Sequence, residues 1–173
     1  MTAKTKMQTQ ITLNRASHSD IEFIVNAETS DDNAEFIGQW HADQHAANLK
    51  DANYIYLIIS SVLHDTRLGY VILEGATDKN SSLNIKRIVV LQKGNGVGRA
   101  TIKLIKKLAF DDLGIHRLWL DVKTFNHRAK HLYETEGFKI EGTLRDCIKR
   151  GEHYESLTVL SILKPEYIND QFQ

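Results

Sequence analysis

Leu83-Asn84-Ile85-Lys86-Arg87-Ile88-Val89-Val90-Leu91-Gln92-Lys93-Gly94-Asn95-Gly96-Val97-Gly98-Arg99-Ala100 is the stretch on which the reading of this 173-residue chain turns. Its first half, rich in Ile, Val and Leu, reads as a strand, and a long helix leaves its end. Three glycines in five residues separate the two. Glycine has no Cβ, so positive φ is open to it and several backbone N–H groups can point into one concavity. The helix N-terminus adds unpaired donors and a positive dipole end, together a site for a phosphate group. Lys93 and Arg99 flank the turn with full positive charges. The plain alternative is a tight strand–helix connection that binds nothing. The P-loop pattern fails, because no Gly-Lys-Ser/Thr closes the turn. The dinucleotide fingerprint is nearer, but its third glycine comes one position early, and three strands precede a motif with which such folds open.

Downstream, the helix is expected from about Val97 to Leu113, with Leu104, Ile105, Leu108 and Ala109 on its buried stripe and Gly114 ending it. His116 to Val122 reads as a strand, Asn126 to Glu136 as a helix stopped by Gly137, and 138–148 and 153–163 as two strands around Arg150-Gly151. Upstream, residues 10–15 alternate like a half-buried strand. Ser17 and Asp20 read as a capping box opening a helix through Ile21, Ile24 and Val25. Ser30 to Asn33 is expected to turn, and shorter helical pieces follow at 34–50, with Phe36, Ile37 and Trp40 on one side. Residues 54–60 and 67–74, joined through His64-Asp65-Thr66, suggest a hairpin. The order β-α-α-β-β-β-α-β-α-β-β implies an α/β sheet with helices on both faces.

Composition sets the class. The chain is 42% apolar and 25% charged, which excludes a disordered chain, a collagen-like repeat and a coiled-coil rod. Its 22 Lys+Arg against 22 Asp+Glu leave no global basic field for nucleic acid or an anionic membrane. One cysteine, Cys147, allows no internal disulfide and points to a reducing compartment. Met1 to Gln10 is polar and lacks the apolar core of a secretory signal, and the longest apolar run, Tyr54 to Leu63, is about half a bilayer span. One cytoplasmic domain over residues 1–173, with a core at about 10–163 and short polar tails, is the expectation.

The segment Asn126-His127-Arg128-Ala129-Lys130-His131-Leu132-Tyr133-Glu134-Thr135-Glu136-Gly137-Phe138 carries a second signal. Asn126 suits a helix cap, and Ala129, Leu132 and Tyr133 share a face. By periodicity alone Tyr133 reads as a core aromatic. Yet Lys93-Gly94-Asn95-Gly96-Val97-Gly98-Arg99-Ala100 resembles the Q/R-x-x-G-x-G/A acetyl-CoA loop of the GNAT superfamily of N-acetyltransferases. Asn126-x-x-Ala129-x-x-Leu132-Tyr133-x-x-x-Gly137-Phe138 resembles that superfamily's next motif, and the spacing and element order fit from about residue 10 to 163. Arg145-Asp146 through Arg150-Gly151-Glu152-His153-Tyr154 looks like the last hairpin of the ribosomal-protein N-terminal acetyltransferase branch.

The resemblance implies a mixed, mostly antiparallel sheet splayed at its centre. Acetyl-CoA would lay its pyrophosphate against the amides of Gly94, Asn95, Gly96, Val97, Gly98, Arg99 and Ala100, and its pantetheine arm along Ile88 and Val90. A backbone N–H near Val90 would polarise the thioester carbonyl. Asn126, with Ala129 beside it, would meet the pantetheine arm, and Tyr133 would sit near the sulfur as the general acid. The acceptor would be a primary amine: a polyamine, a small amine or a protein N-terminus. No metal is called for, and homodimers are common among such proteins. Two departures stand out: Lys93 replaces the loop's usual Gln or Arg, and Asn84, Lys86 and Arg87 leave the motif strand without the Glu that some members use as base. That role is left to a water-relayed proton or to a base from another element, such as Glu28, Glu35 or Glu155. A silent CoA-binding sensor and a dinucleotide-dependent oxidoreductase remain as alternatives.

Four further features have plainer readings. Glu28, Asp31, Asp32 and Glu35 would attract a cationic amine or simply cap helices in a solvated turn. Trp40, His41 and His45 are candidates for lining an acceptor pocket, but the pairs His41/His45 and His127/His131 lack the third ligand of a zinc site. Lys103, Lys106 and Lys107 suit a solvent-facing helix side. Cys147 reads as a packed thiol without a catalytic partner.

Overall fold

Seven strands form one sheet in the order β1-β2-β3-β4-β5-β7-β6 in the computed structural model, which describes residues 10–64 and 66–172. The polar stretch before Gln10 and Asp65 of the expected hairpin turn lie outside the described residues. The strands are β1 (Ile11–Arg15), β2 (Tyr54–Ser61), β3 (Arg67–Glu74), β4 (Ser82–Val90), β5 (Arg117–Lys123), β6 (Lys139–Arg150) and β7 (His153–Leu163). The helices are α1 (Ile21–Thr29), α2 (Asp31–Ala34), α3 (Ala42–Lys50), α4 (Val97–Lys107), α5 (His127–Thr135) and α6 (Lys164–Asp170). Among the described residues, no helix is long and apolar enough to cross a membrane.

Both faces of the sheet are covered, which explains the unbroken apolar run in β2. Ile55, Leu57 and Ile59 enter the core under α4, α5 and α6, while Tyr56 and Ile58 enter the smaller core under α1. Asp20 closes the expected capping box, accepting the Ser17 N–H at 2.8 Å, and α1 follows a short 3₁₀ turn. Gly114 and Gly137 hold φ of 66° and 93° just beyond the helices they end.

Several local expectations are corrected. Ser30 to Asn33 is largely the helical turn α2, and residues 35–41 are irregular, so Phe36, Ile37 and Trp40 share no helix. The stripe of α4 is rotated from the expected one. Ile102, Ile105 and Ala109 are fully buried while Leu104 and Leu108 are half-buried, and a π-helical turn at Leu108–Asp112 continues the helix. Lys106 lies on the buried side, donating to the Glu136 carbonyl at 2.7 Å; Lys103 and Lys107 do face solvent. Cys147 is exposed rather than packed, because β6 is an edge strand. The helix α6 was not expected, although Pro165 in its first turn and Glu166, which accepts the Leu163 N–H, form a start signal.

Two irregularities shape the centre. The pairing of β3 with β4 shifts so that Ile72 faces Arg87 and Leu73 faces Ile85, leaving Lys86 bulged. The extra residue swaps sides: Leu83 and Ile85 enter the larger core before it, whereas Val89 enters the smaller core after it. Beside the bulge, β4 and β5 are parallel and pair only at Ser82–Arg117, Leu83–Leu118 and Asn84–Trp119, although both strands run on. The sheet is therefore splayed from Ile85 onward.

Gly69 makes the close approach of β3 to β4 possible. At its φ of 154°, a Cβ would lie 2.0 Å from the Val89 carbonyl oxygen, so backbone must move. Gly69→Ala is expected to destabilise the protein by at least about 2 kcal/mol, read as a lower denaturant midpoint with an unchanged slope.

Candidate active site

The splay opens into a cleft of about 960 Å³. Ile88 and Val90 of β4 line it, with Lys93, Gly94, Gly96, Gly98 and Arg99 of the glycine turn, and Asn126, Ala129 and Tyr133 around α5. Asn95, Val97 and Ala100 do not line it: Val97 is buried in the core, and the Ala100 N–H donates to the Gly96 carbonyl at 3.0 Å. The turn has the conformation that glycine permits. Gly94 and Gly96 hold φ of 94° and 79°, Gly96 is the N-cap of α4, and a Cβ on Gly94 would meet nothing within 4 Å. The first turn of α4 thus opens beside the cleft with the orphan donors of any helix start. Gly98 matters for packing instead. A Cβ there would press on Leu132 Cδ2 at 3.3 Å, so its lack of a side chain lets α4 and α5 meet.

On α5, Asn126 Oδ1 accepts the Ala129 N–H at 3.1 Å, capping the helix and leaving its amide NH₂ for a ligand. Tyr133 is only 6% exposed, its ring 5.8 Å from that of Phe138. Its hydroxyl has no hydrogen-bond partner among the described residues. Burial, and secondarily the charge of Asp121, push its pKa above the usual tyrosine range, so the phenol stays protonated.

The far wall is a strap, residues 33–39, tied down by three cations through main-chain carbonyls. Lys93 Nζ donates to Asp32 O at 2.6 Å and Lys123 Nζ to Glu35 O at 2.6 Å. Arg150 donates to Glu35 O at 2.8 Å and Ala34 O at 3.2 Å. These are the orphan carbonyls at the C-terminal end of α2, where positive charge is favoured.

Behind this wall Glu28 is fully buried. Its Oε1 accepts from Arg87 Nη1 at 2.5 Å and the Tyr70 hydroxyl at 2.8 Å, and its Oε2 accepts the Trp40 N–H at 3.0 Å. His45 Nε2 lies 3.4 Å from Oε2 without hydrogen-bond alignment, and Arg87 stacks 3.8 Å from the centre of the Trp40 ring. Burial raises the Glu28 pKa, but His45, the Trp40 N–H and Arg87 outweigh it and hold the carboxyl below its ordinary value.

The acidic cluster is therefore not one surface: Glu28 is consumed inside, while Asp31, Asp32 and Glu35 are exposed and their side chains do not line the cleft. Glu155 is taken up by Lys123 at 2.6 Å and Arg150 at 3.7 Å. Trp40 and His45 belong to the network around Glu28 rather than to the cleft. Among the described residues, no three His, Cys, Asp or Glu side chains are grouped to hold a metal ion. Asp121, unnoticed in the sequence as a site residue, does line the cleft. Its signal was the β5 alternation, in which Leu118, Leu120 and Val122 are buried and Asp121 is not.

Comparisons with known proteins agree with this geometry. The family model for the acetyltransferase (GNAT) domain matches residues 9–158. An uncharacterized N-acetyltransferase of Mycobacterium bovis is 34% identical over 128 residues, 66% of this chain and 80% of that protein. The spermidine N(1)-acetyltransferase of Vibrio cholerae is 24% identical over 177 residues, 94% of this chain and 98% of that protein. A crystal structure of spermidine N-acetyltransferase from Vibrio cholerae in complex with CoA and spermine matches the fold with a TM-score of 0.83 at 22% identity, covering 92% of this chain and 99% of that one.

Proposed function

This chain belongs to the GNAT acetyltransferases, acetyl-CoA-dependent acyltransferases, and from that premise we propose that it moves the acetyl group directly onto a primary amine in the cleft. The observation that carries the reading is the splay of β4 from β5 beside the glycine turn, with the Tyr133 hydroxyl at its edge and without a hydrogen-bond partner among the described residues. A strand edge released from its neighbour offers backbone groups to an extended thioester arm, and the turn's amides offer donors to a diphosphate.

In this proposal the amides from Gly94 to Arg99 cradle the pyrophosphate, with Lys93 and Arg99 neutralising charge, while the Ala100 N–H is taken up by the Gly96 carbonyl and drops out of the expected cradle. Ile88 and Val90 pair their backbone with the pantetheine arm, and the Asn126 amide, placed by Ala129 and its helix, donates to it. A main-chain N–H near Val90 faces the oxygen on which negative charge develops; one such fixed donor is worth about 3 kcal/mol. Holding amine and thioester together supplies much of the remaining acceleration. Tyr133 gives its proton to the departing sulfur. No nucleophilic side chain is assigned, so transfer is direct.

The acceptor class within this proposal is a polyamine or other small amine, the first supported by the spermidine enzyme among the relatives. The last hairpin's likeness to the ribosomal-protein branch adds a protein N-terminus. A single domain working in the cytoplasm is part of the same reading, supported by the lone Cys147. So is a homodimer, which rests on the resemblance alone.

Incubation with acetyl-CoA and a panel of amines, monitoring free thiol, tests the proposal. Amine-dependent thiol release with an acetylated product is expected. Acetyl-CoA binding without thiol release across the panel would favour the silent sensor, for which the absence of a carboxylate at Asn84, Lys86 and Arg87 speaks.

A further inference from the structure

Eight Lys and Arg side chains line the cleft, and among the described residues only one carboxylate does, Asp121. A protonated alkyl amine, with a pKa near ~10.4, must lose a proton before it attacks a thioester. The carboxylates that the sequence offers as the base are placed elsewhere: Glu28 is locked behind the wall, Glu155 is paired with Lys123, and neither it nor Glu35 lines the cleft.

Asp121 stands at the point where the sheet opens. The last parallel pair between β4 and β5 is Asn84–Trp119, so Lys86 and Asp121, each two residues further along its strand, lie beyond the pairing, near enough for the Lys86 charge to act on the carboxylate. The bulge at Lys86 helps to make this gap. Asp121 has no hydrogen-bond or ion-pair partner among the described residues. The groups around it come from several elements: Lys86 of β4, itself 3.0 Å from Glu74; Tyr133 of α5; and Lys123 of its own strand, held by Glu155 and the Glu35 carbonyl. Its neighbour on β7 is the uncharged Val159.

We propose that Asp121 receives the acceptor's ammonium group and is the base that deprotonates it. The inference rests on the acetyltransferase reading above and supplies the base which that reading lacks. The Asp121 carboxylate takes one proton from the ammonium and later releases it to water. The freed nitrogen lone pair forms the C–N bond to the acetyl carbon, and the C–S bond breaks. Tyr133 protonates the sulfur and is reprotonated by the second proton leaving nitrogen. Amide and thiol are formed with one proton released, and no other reactant is needed. Desolvation within the cleft raises the Asp121 pKa, partly offset by Lys86, which makes the carboxylate a better proton acceptor than a freely solvated one.

The test uses Asp121→Asn and Asp121→Glu in the full chain. Acetyl-CoA affinity is measured by calorimetry, and kcat/KM by thiol release from about pH 5 to about pH 9, with spermidine and with a dipeptide bearing a free N-terminus. Asp121→Asn is expected to lose about 100-fold or more in kcat/KM with acetyl-CoA affinity unchanged. The rise of kcat/KM through the Asp121 titration, which requires the ionised form, should vanish from its profile; Asp121→Glu should restore part of both. An Asn variant with wild-type kcat/KM and pH profile overturns the role of Asp121 and leaves the acetyltransferase reading standing. Loss of acetyl-CoA affinity in the Asn variant also overturns it. Wild-type protein that binds acetyl-CoA yet acetylates neither probe overturns both together.

Discussion

Tyr133→Phe is expected to lower kcat about 100-fold or more while leaving acetyl-CoA affinity and the melting temperature close to wild type. The substitution removes one oxygen and keeps the ring, so the packing against Phe138 and the rest of the core persists. Because the hydroxyl has no protein partner among the described residues, its loss leaves no buried group unsatisfied. What disappears is the proton for the thiolate. The elevated pKa of this phenol has a sign that can be checked: the acid form is the active form, so the alkaline limb of kcat should not come from Tyr133 until pH exceeds the ordinary tyrosine range. Steady-state kinetics beside a calorimetric titration separate the outcomes. Full turnover in the Phe variant would remove Tyr133 from the mechanism.

Glu28→Ala carries the largest expected effect on stability, a loss of about 3–5 kcal/mol, since removing one partner of a buried ion pair strands the other. Arg87 is 7% exposed, and without Glu28 its charge has only the Trp40 ring for company. The Tyr70 hydroxyl and the Trp40 N–H lose their acceptor as well. Denaturant midpoints provide the readout, and a second substitution is informative. Glu28→Ala combined with Arg87→Met should recover part of the loss, because the stranded charge is gone. The pH dependence has a definite direction. The folded-state pKa of Glu28 is lowered, so its contribution is present above the unfolded-state value of about 4.3 and is lost as pH falls through the folded one. The Ala variant should lack that portion of acid destabilisation. A loss below about 1 kcal/mol would mean that the network is not what anchors α1 to β4.

The glycine turn and the Asn126 to Phe138 segment were legible because both are local. Positive φ, a helix start and a 3–4 residue spacing are written in neighbouring residues. The splay was not readable from strand patterns and came only through the family resemblance, since β4 and β5 look alike whether they pair for three residues or for all seven of β5. Glu28 and Arg87 are 59 residues apart, and nothing near Glu28 marks it as the partner of a motif-strand cation rather than one of four surface acids. The strap shows the same limit: Lys93, Lys123 and Arg150 bind carbonyls, and a carbonyl acceptor leaves no trace in residue identity. The bulge at Lys86 inverts the side-chain alternation, so a strict period of two puts Arg87 and Val89 on the wrong face.

Calorimetric titration of CoA into the unliganded chain, with NAD titrated in parallel, asks whether the cleft is a coenzyme A site at all. One saturable event with one CoA bound per chain, and no heat from NAD, is the predicted result. A flat CoA trace, or binding of NAD in its stead, would contradict the claim that the turn from Gly94 to Gly98 and the splay beside it hold that molecule.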